Sequence, residues 1–502
     1  MQQLRLSVFL PPFLFLLASA IYSLIDTEGF LFFAKTANDW ILTHFGWLFS
    51  ISTLTFLGIV IMVYFSPLAK VKIGGKDAAP ILSKWRWFSI TLCTTIAIGI
   101  LFWGGAEPLY HFHQPPTGLG ISPESPAAAR FGLATMFLHW TFTPYGIYTM
   151  SGLTFALVYY NLKQPFSLGS MLYPLIGDRA HGNLGKFIDA ISLYALVAGM
   201  ASSLGAGILT IASGLETVIG IPKTAFTLGL VAAAIVITFI VSAASGLQKG
   251  IRILSDINIR FFFGFGIFVF IFGPTLFILG FGVDALGEYF QQFFRRSLYT
   301  GVADGDGWAN SWTIFYWANW LAWTPVTALF LGRLAVGRTV KEFIHFNLIY
   351  TSLFSIFWMM IFSGTSLYFD STEANFPMFN TLQTGGPEAI IYALFERLPF
   401  SALMSFLFLL IAFLSYVTAA DSNTSAMASI SSTGISPETP EPPLFIKVAW
   451  GASVGVIAWV MVAFAGIDGI KMASNLGGFP ALFLIIAVAG SLIKLMRNAD
   501  KL

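Results

Sequence analysis

Residues 311–325 read Ser-Trp-Thr-Ile-Phe-Tyr-Trp-Ala-Asn-Trp-Leu-Ala-Trp-Thr-Pro. Trp312, Trp317, Trp320 and Trp323 fall in this stretch, the last three at every third position. On a helix that spacing predicts an aromatic stripe, with Phe315 and Tyr316 beside it, and Pro325 is expected to end or kink the segment. No acid or base lies within it, so it suits an apolar body or a delocalised cation rather than covalent chemistry. A quaternary ammonium has no N–H to donate, but the face of an indole attracts it by about 0.5–2 kcal/mol per contact. Tryptophans also anchor helices at the membrane–water interface, and the stretch alone leaves both readings open.

The surrounding chain sets the environment. Of 502 residues, 56% are hydrophobic and only 10% charged, where a soluble domain carries about 25% charged residues. The composition is that of an all-α polytopic membrane protein. A net charge of +2 gives no reason to expect a nucleic-acid partner. The single cysteine, Cys93, excludes an intrachain disulfide and a cysteine metal site, and its apolar surroundings read as packing. His111-Phe-His113 is the nearest the histidines come to a metal spacing, so no metal and no cofactor are expected. Intramembrane polar residues are too scattered for a catalytic cluster, so the chain is not read as an enzyme. It has no Gly-x-x-x-x-Gly-Lys-Ser/Thr loop for nucleotide-driven transport. Residues 7–26 lack a following small-residue cleavage site and read as a first span.

Runs of about twenty apolar residues place twelve expected spans, near 7–28, 43–66, 87–110, 128–161, 187–216, 224–246, 253–282, 308–332, 342–368, 399–420, 445–467 and 476–497. Residues 284–297 are short and amphipathic, as in an interfacial helix. With the N-terminus inside, eighteen Lys and Arg fall on inner segments and seven on outer ones, which puts both termini in the cytoplasm of a cell-membrane protein. Spans 3 and 8 are interrupted, by Gly99, Gly104, Gly105 and Pro108 in one and by the tryptophan run and Pro325 in the other. Broken helices at membrane depth line cavities or sit within protein, and they open each half of transporters built from inverted repeats. The glycines of span 5, Gly199, Gly205, Gly207 and Gly214, read instead as a packing face.

At these residues the chain resembles the betaine/carnitine/choline transporters. The resemblance rests on Trp312 to Pro325, on the following Gly332-Arg333-Leu-Ala-Val-Gly337-Arg338, and on Glu107-Pro108-Leu109. It also rests on His139-Trp140-Thr-Phe-Thr-Pro-Tyr145-Gly-Ile-Tyr148 and on Thr418-Ala419-Ala420-Asp421-Ser422. It covers nearly the whole chain. It implies a LeuT-like five-plus-five inverted repeat in spans 3–7 and 8–12, alternating access and a homotrimer. The corresponding segments are residues 1–86 (two peripheral spans), 87–282 (first repeat), 283–307 (interfacial helix) and 308–502 (second repeat). The implied cargo is an onium compound of the glycine betaine, choline, carnitine or dimethylsulfoniopropionate class. Carried over by position, the resemblance implies a cage of Trp140, Tyr145, Tyr148 and Trp320, flanked by Trp317 and Trp323. Trp140 and Tyr148 lie two helical turns apart with Tyr145 between, so one face of span 4 is expected to meet the span-8 stripe.

The sequence departs from the family pattern at sites that bear on cargo and coupling. Asn319 and Tyr145 stand where tryptophan is usual, so Asn319 is a candidate for substrate choice. Ala419 replaces a serine of the family's second sodium site, leaving Thr418 as the remaining hydroxyl, and sodium is bound through oxygen. Arg260 falls within a span, where a charge is expensive. It reads either as a stand-in for the sodium charge, as in sodium-independent carnitine exchangers, or as a side chain paired with Asp256 or reaching the interface. Sodium coupling is therefore expected to be absent or weak.

Overall fold

In hydrocarbon every backbone N–H and C=O must find a partner within the chain, and helices achieve this locally. The computed structural model describes residues 4–96, 99–244, 248–434 and 442–502, except the side chains of Cys93, Thr94, Ile96, residues 243–256 and Ser422. The long helices are α1 (Leu6–Ile25), α2 (Thr27–Phe65), α3 (Lys84–Ile96), α4 (Gly99–His113), α5 (Pro126–Trp140), α6 (Phe142–Ala156) and α7 (Asn183–Ile219). They continue as α8 (Ala225–Ala244), α9 (Gln248–Phe272), α10 (Thr275–Ser297), α11 (Phe315–Arg333), α12 (Tyr350–Thr372), α13 (Ser401–Ile430) and α14 (Leu444–Arg497). Among the described residues the strand-like pairings are the isolated bridges Leu4–Ser432 and Lys72–Thr339.

Seven helices are long and apolar enough to cross a membrane, or eight if the pair Ile257–Phe272 and Thr275–Ser297, bent by 107°, counts as one broken span. This is a multi-pass membrane architecture. It differs from a simple row of twelve apolar runs in specific places. The run at 87–110 falls on α3 and α4, and residues 97–98 between them lie outside the described residues. The run at 128–161 breaks at Thr141, whose φ of −125° and ψ of −120° are non-helical. Pro144 gives the reason, since it has no N–H for the carbonyl of Trp140. In the first turn of a new helix that missing donor costs nothing. The final two runs merge into α14, which turns at Gly466 (φ 53°, ψ −132°). The run expected over 253–282 ends early at Gly273-Pro274, and residues 284–297 belong to the longer helix α10. The tryptophan helix α11 follows a π-helical turn at Asn310–Ile314 and runs through Pro325 to Arg333 rather than ending at the proline.

α7 is the buried axis of the bundle, and its glycines sit where neighbours come closest. A methyl group on Gly205 would lie 2.6 Å from Val462, and one on Gly207 2.3 Å from the Tyr416 ring. The foot of α7 carries Asp189, fully buried and 2.7 Å from the Arg5 guanidinium. Asp189 also accepts from Ser167 Oγ at 2.9 Å and Gly169 N at 3.0 Å. One carboxylate thus ties the chain start and the 167–169 loop to the central helix. Removing one partner of a buried ion pair strands the other, at about 3–5 kcal/mol for full burial and less here because Arg5 reaches water. Asp189→Ala is expected to lower the thermal unfolding midpoint in detergent by several degrees while leaving helix content unchanged by circular dichroism.

Candidate functional site

The break at Thr141 builds the site. A continuous helix would use the His139 carbonyl for the N–H four residues on. Here that carbonyl accepts from Trp320 Nε1 at 3.1 Å, joining the end of α5 to the middle of α11. Three rings then converge on the Trp320 indole. Trp140, Tyr145 and Tyr148 present their ring centroids 5.6, 5.5 and 5.0 Å from it, all edge to face. All four side chains are buried. Trp140 reaches its position because Gly99, the first residue of α4, has no side chain. A methyl group there would lie 2.4 Å from the indole. The expected cluster forms, but not on one continuous helical face. Trp140 ends one helix and the two tyrosines lie on the next.

Behind the rings lies a carboxylate that no spacing rule singled out for this role. Glu107 is fully buried on α4. Its Oε1 faces His139 Nδ1 at 2.6 Å and His111 Nε2 at 3.1 Å. Its Oε2 accepts from Trp140 Nε1 at 3.2 Å and from the Tyr316 hydroxyl. His139 Nε2 in turn meets Thr313 Oγ1 at 3.0 Å. Glu107, His111 and His139 place donor atoms within 4.8 Å of one another. Two of those contacts are already hydrogen bonds through one shared oxygen, so the cluster is a hydrogen-bonded hub rather than a set of metal ligands. The sequence signal was Glu107 and His111 four apart on one helix. His113 points elsewhere, to Asp370 Oδ2 at 2.6 Å and Glu124 Oε1 at 3.0 Å, so the His-x-His pair is not one site.

The tryptophan stripe divides among three environments. Each step of three residues turns about 300°, so successive side chains precess by about 60°. Trp320 faces the rings. Trp317 is buried with its ring centroid 5.9 Å from that of His139 and its Nε1 unpartnered among the described residues. Trp323, half-buried, lines a small cavity with Tyr416, Ala419, Asn423 and Thr424. Asn319 Oδ1 accepts from Ser474 Oγ at 3.0 Å, and Ser474 meets Ser202 Oγ at 2.6 Å, so this amide stitches α11 to α14 and α7. Thr418 Oγ1 donates to the Leu414 carbonyl of its own helix at 2.7 Å. Arg260 is exposed on α9, and the side chain of its proposed partner Asp256 lies outside the described residues. The structure therefore brings together Trp140, Tyr145, Tyr148 and Trp320, and places Trp317, Asn319 and Trp323 around α11 but outside that cluster.

The family model of betaine/carnitine/choline family transporters matches residues 7–501. A probable glycine betaine transporter of Desulfitobacterium hafniense (strain Y51) is 31% identical over 91% of this chain and 90% of its own length. An ectoine/hydroxyectoine transporter of Virgibacillus pantothenticus is 30% identical, again over 91% of this chain and 90% of its own. An osmo-dependent choline transporter of Acinetobacter baylyi (strain ATCC 33305 / BD413 / ADP1) is 30% identical over 96% of this chain and 71% of its own.

Glu107→Gln keeps the shape of the hub but replaces an acceptor oxygen with an NH2 group facing donors. A buried donor or acceptor left unsatisfied costs about 1–3 kcal/mol. The expected outcome is a lower unfolding midpoint together with a changed tryptophan emission, because Trp140 loses its anchor. Unchanged emission would mean that Glu107 does not position that ring.

Proposed function

Because this chain belongs to the betaine/carnitine/choline transporter family, a family of transporters and not of enzymes, we propose that it is a secondary transporter of onium compounds. The cargo class is glycine betaine, choline, carnitine or dimethylsulfoniopropionate, with Trp140, Tyr145, Tyr148 and Trp320 holding the head group. The observation that carries this reading is the convergence of three rings on Trp320 at 5.0–5.6 Å. A cation–π contact needs the cation within about 6 Å of a ring centroid. Trp320 itself fills the space between the other three, so a head group enters as the Trp320 indole moves aside. The motion that carries α11 relative to α5 and α6 would then open and close the cage, as alternating access requires. Glu107 supports this by fixing Trp140 while leaving Trp320 held by a single backbone carbonyl. Trp323 and Trp317 flank the route along α11, and Asn319, whose Oδ1 accepts from Ser474, keeps its side-chain N–H groups to offer a carboxylate or hydroxyl of the cargo.

The same reading includes twelve spans in two inverted repeats, both termini in the cytoplasm and a homotrimeric assembly. The helices described over 84–113 and 126–156 support the span count, since each segment is long enough in sum to cross. For coupling, we favour transport independent of sodium. Ala419 offers no hydroxyl, so of the two neighbours only Thr418 has a side-chain oxygen whose lone pairs could face a cation, its hydrogen going to Leu414. An exposed Arg260 in this conformation gives no support to a guanidinium standing in for sodium.

Trp320→Ala removes the ring shared by every contact of the cage. At about 0.5–2 kcal/mol per contact, onium binding is expected to weaken roughly tenfold or more. Equilibrium binding of labelled glycine betaine and choline to purified protein checks this, and wild-type affinity in both Trp320→Ala and Trp140→Ala would remove the cage from the mechanism. Proteoliposome uptake is expected to change little when a sodium gradient is imposed. Strong sodium dependence abolished by Thr418→Ala would overturn the coupling assignment.

A further inference from the structure

A cavity of about 670 Å³ lies apart from the four rings, between α2, the π turn before α11 and the second half of α14. Its charged lining groups are Lys35, Asp39, Asp468 and Lys471. Lys35 Nζ is paired with Asp39 at 2.7 Å. Lys471 is not held in that way. Its ammonium sits 3.8 Å from the Trp312 ring centroid and 5.6 Å from that of Phe315, and among the described residues it forms no salt bridge. A protein cation thus occupies an aromatic face in the same manner as an onium head would. Deeper in the same cavity, the Asn475 side chain is buried and donates to Asn38 Oδ1 at 2.7 Å, while its own Oδ1 has no partner among the described residues.

Helix α11 borders both the cavity, through Phe315, and the cage, through Trp320. Phe315 and Lys471 face each other at the cavity wall. About one turn further along both helices, about 4.5–6 Å at 1.5 Å per residue, Asn319 of α11 meets Ser474 of α14 at 3.0 Å. The next residue on α11 is Trp320.

We infer that Lys471 is a specificity-determining residue that selects zwitterions over bare cations. The argument rests on the onium-transport reading above. A carboxylate draws the Lys471 ammonium off Trp312 and leaves that indole face to the onium head of the same molecule. A cation without a carboxylate gains nothing from Lys471 and is repelled by it, and it must also displace the ammonium from the ring. Asp468 lines the same wall and favours the onium end, so the cavity offers both signs that a zwitterion carries. Neither Lys471 nor Asp468 touches the four rings, so selection at the cavity and binding in the cage are separable.

The test is the ratio of kcat/KM for glycine betaine to that for choline, measured by uptake into proteoliposomes. The wild type is expected to prefer glycine betaine. Lys471→Met and Lys471→Glu are expected to lower the ratio tenfold or more, with the glutamate variant the lower, and Lys471→Arg to retain it. Variants are compared where they elute as the wild type does on gel filtration, with Lys471→Gln as the substitute if the methionine variant does not. An unchanged ratio in actively transporting variants overturns the role of Lys471 and leaves the onium reading intact. A wild type that carries neither compound, nor any of a panel of ammonium and sulfonium zwitterions, overturns both.

Discussion

Glu107 is the point on which the site depends. Its carboxylate is shut away from water at the centre of the bundle and accepts from four side chains on three helices: His111 on its own helix, His139 and Trp140 on α5, and Tyr316 on α11. Burying a charge is costly unless hydrogen bonds replace its hydration, and here the replacement is supplied from three directions. Each donor is thereby fixed in place. The end of α5, the start of α11 and the middle of α4 cannot shift independently without leaving that carboxylate short of a partner.

The rings inherit their positions from this arrangement. Trp140 is pinned through its indole N–H, and the same helix end offers a free carbonyl to Trp320. A polar hub behind an apolar cage divides the labour. The hub sets geometry through directional bonds, and the aromatic faces are what the proposed onium head, which cannot take part in such bonds, would meet. Trp320 is held by a hydrogen bond to a backbone carbonyl of another helix, Tyr145 by Ser355 at 3.1 Å and Trp140 by the hub.

Much of this was legible along the chain. The density of tryptophans in 311–325, the Glu107-Pro108 step and the His139 to Tyr148 stretch marked the family and the aromatic residues that cluster. Other features were hidden. The four-residue spacing of Glu107 and His111 announced a local pair but could not reveal Tyr316, which comes from a helix two hundred residues away. Asn319 interrupts the tryptophans in the chain, but the bond of its Oδ1 with Ser474 of another helix is not readable there. Lys471 looked like an ordinary outer-loop charge. Its contact with Trp312 joins residues from separate helices, which no periodicity encodes.

The sequence by itself determined the solvent and the chemistry. A chain that is 56% hydrophobic and 10% charged is made for lipid, and its motifs mark a family of transporters. Only the tertiary structure decided which aromatic side chains meet. The break at Thr141 turned an expected single face into two helices, and the angular advance along α11 sent Trp317, Trp320 and Trp323 to different neighbours. The reason is physical: hydropathy and spacing report what one helix offers to its surroundings, whereas a binding cage and its polar support are made of contacts between helices, fixed by where each one breaks, turns and packs.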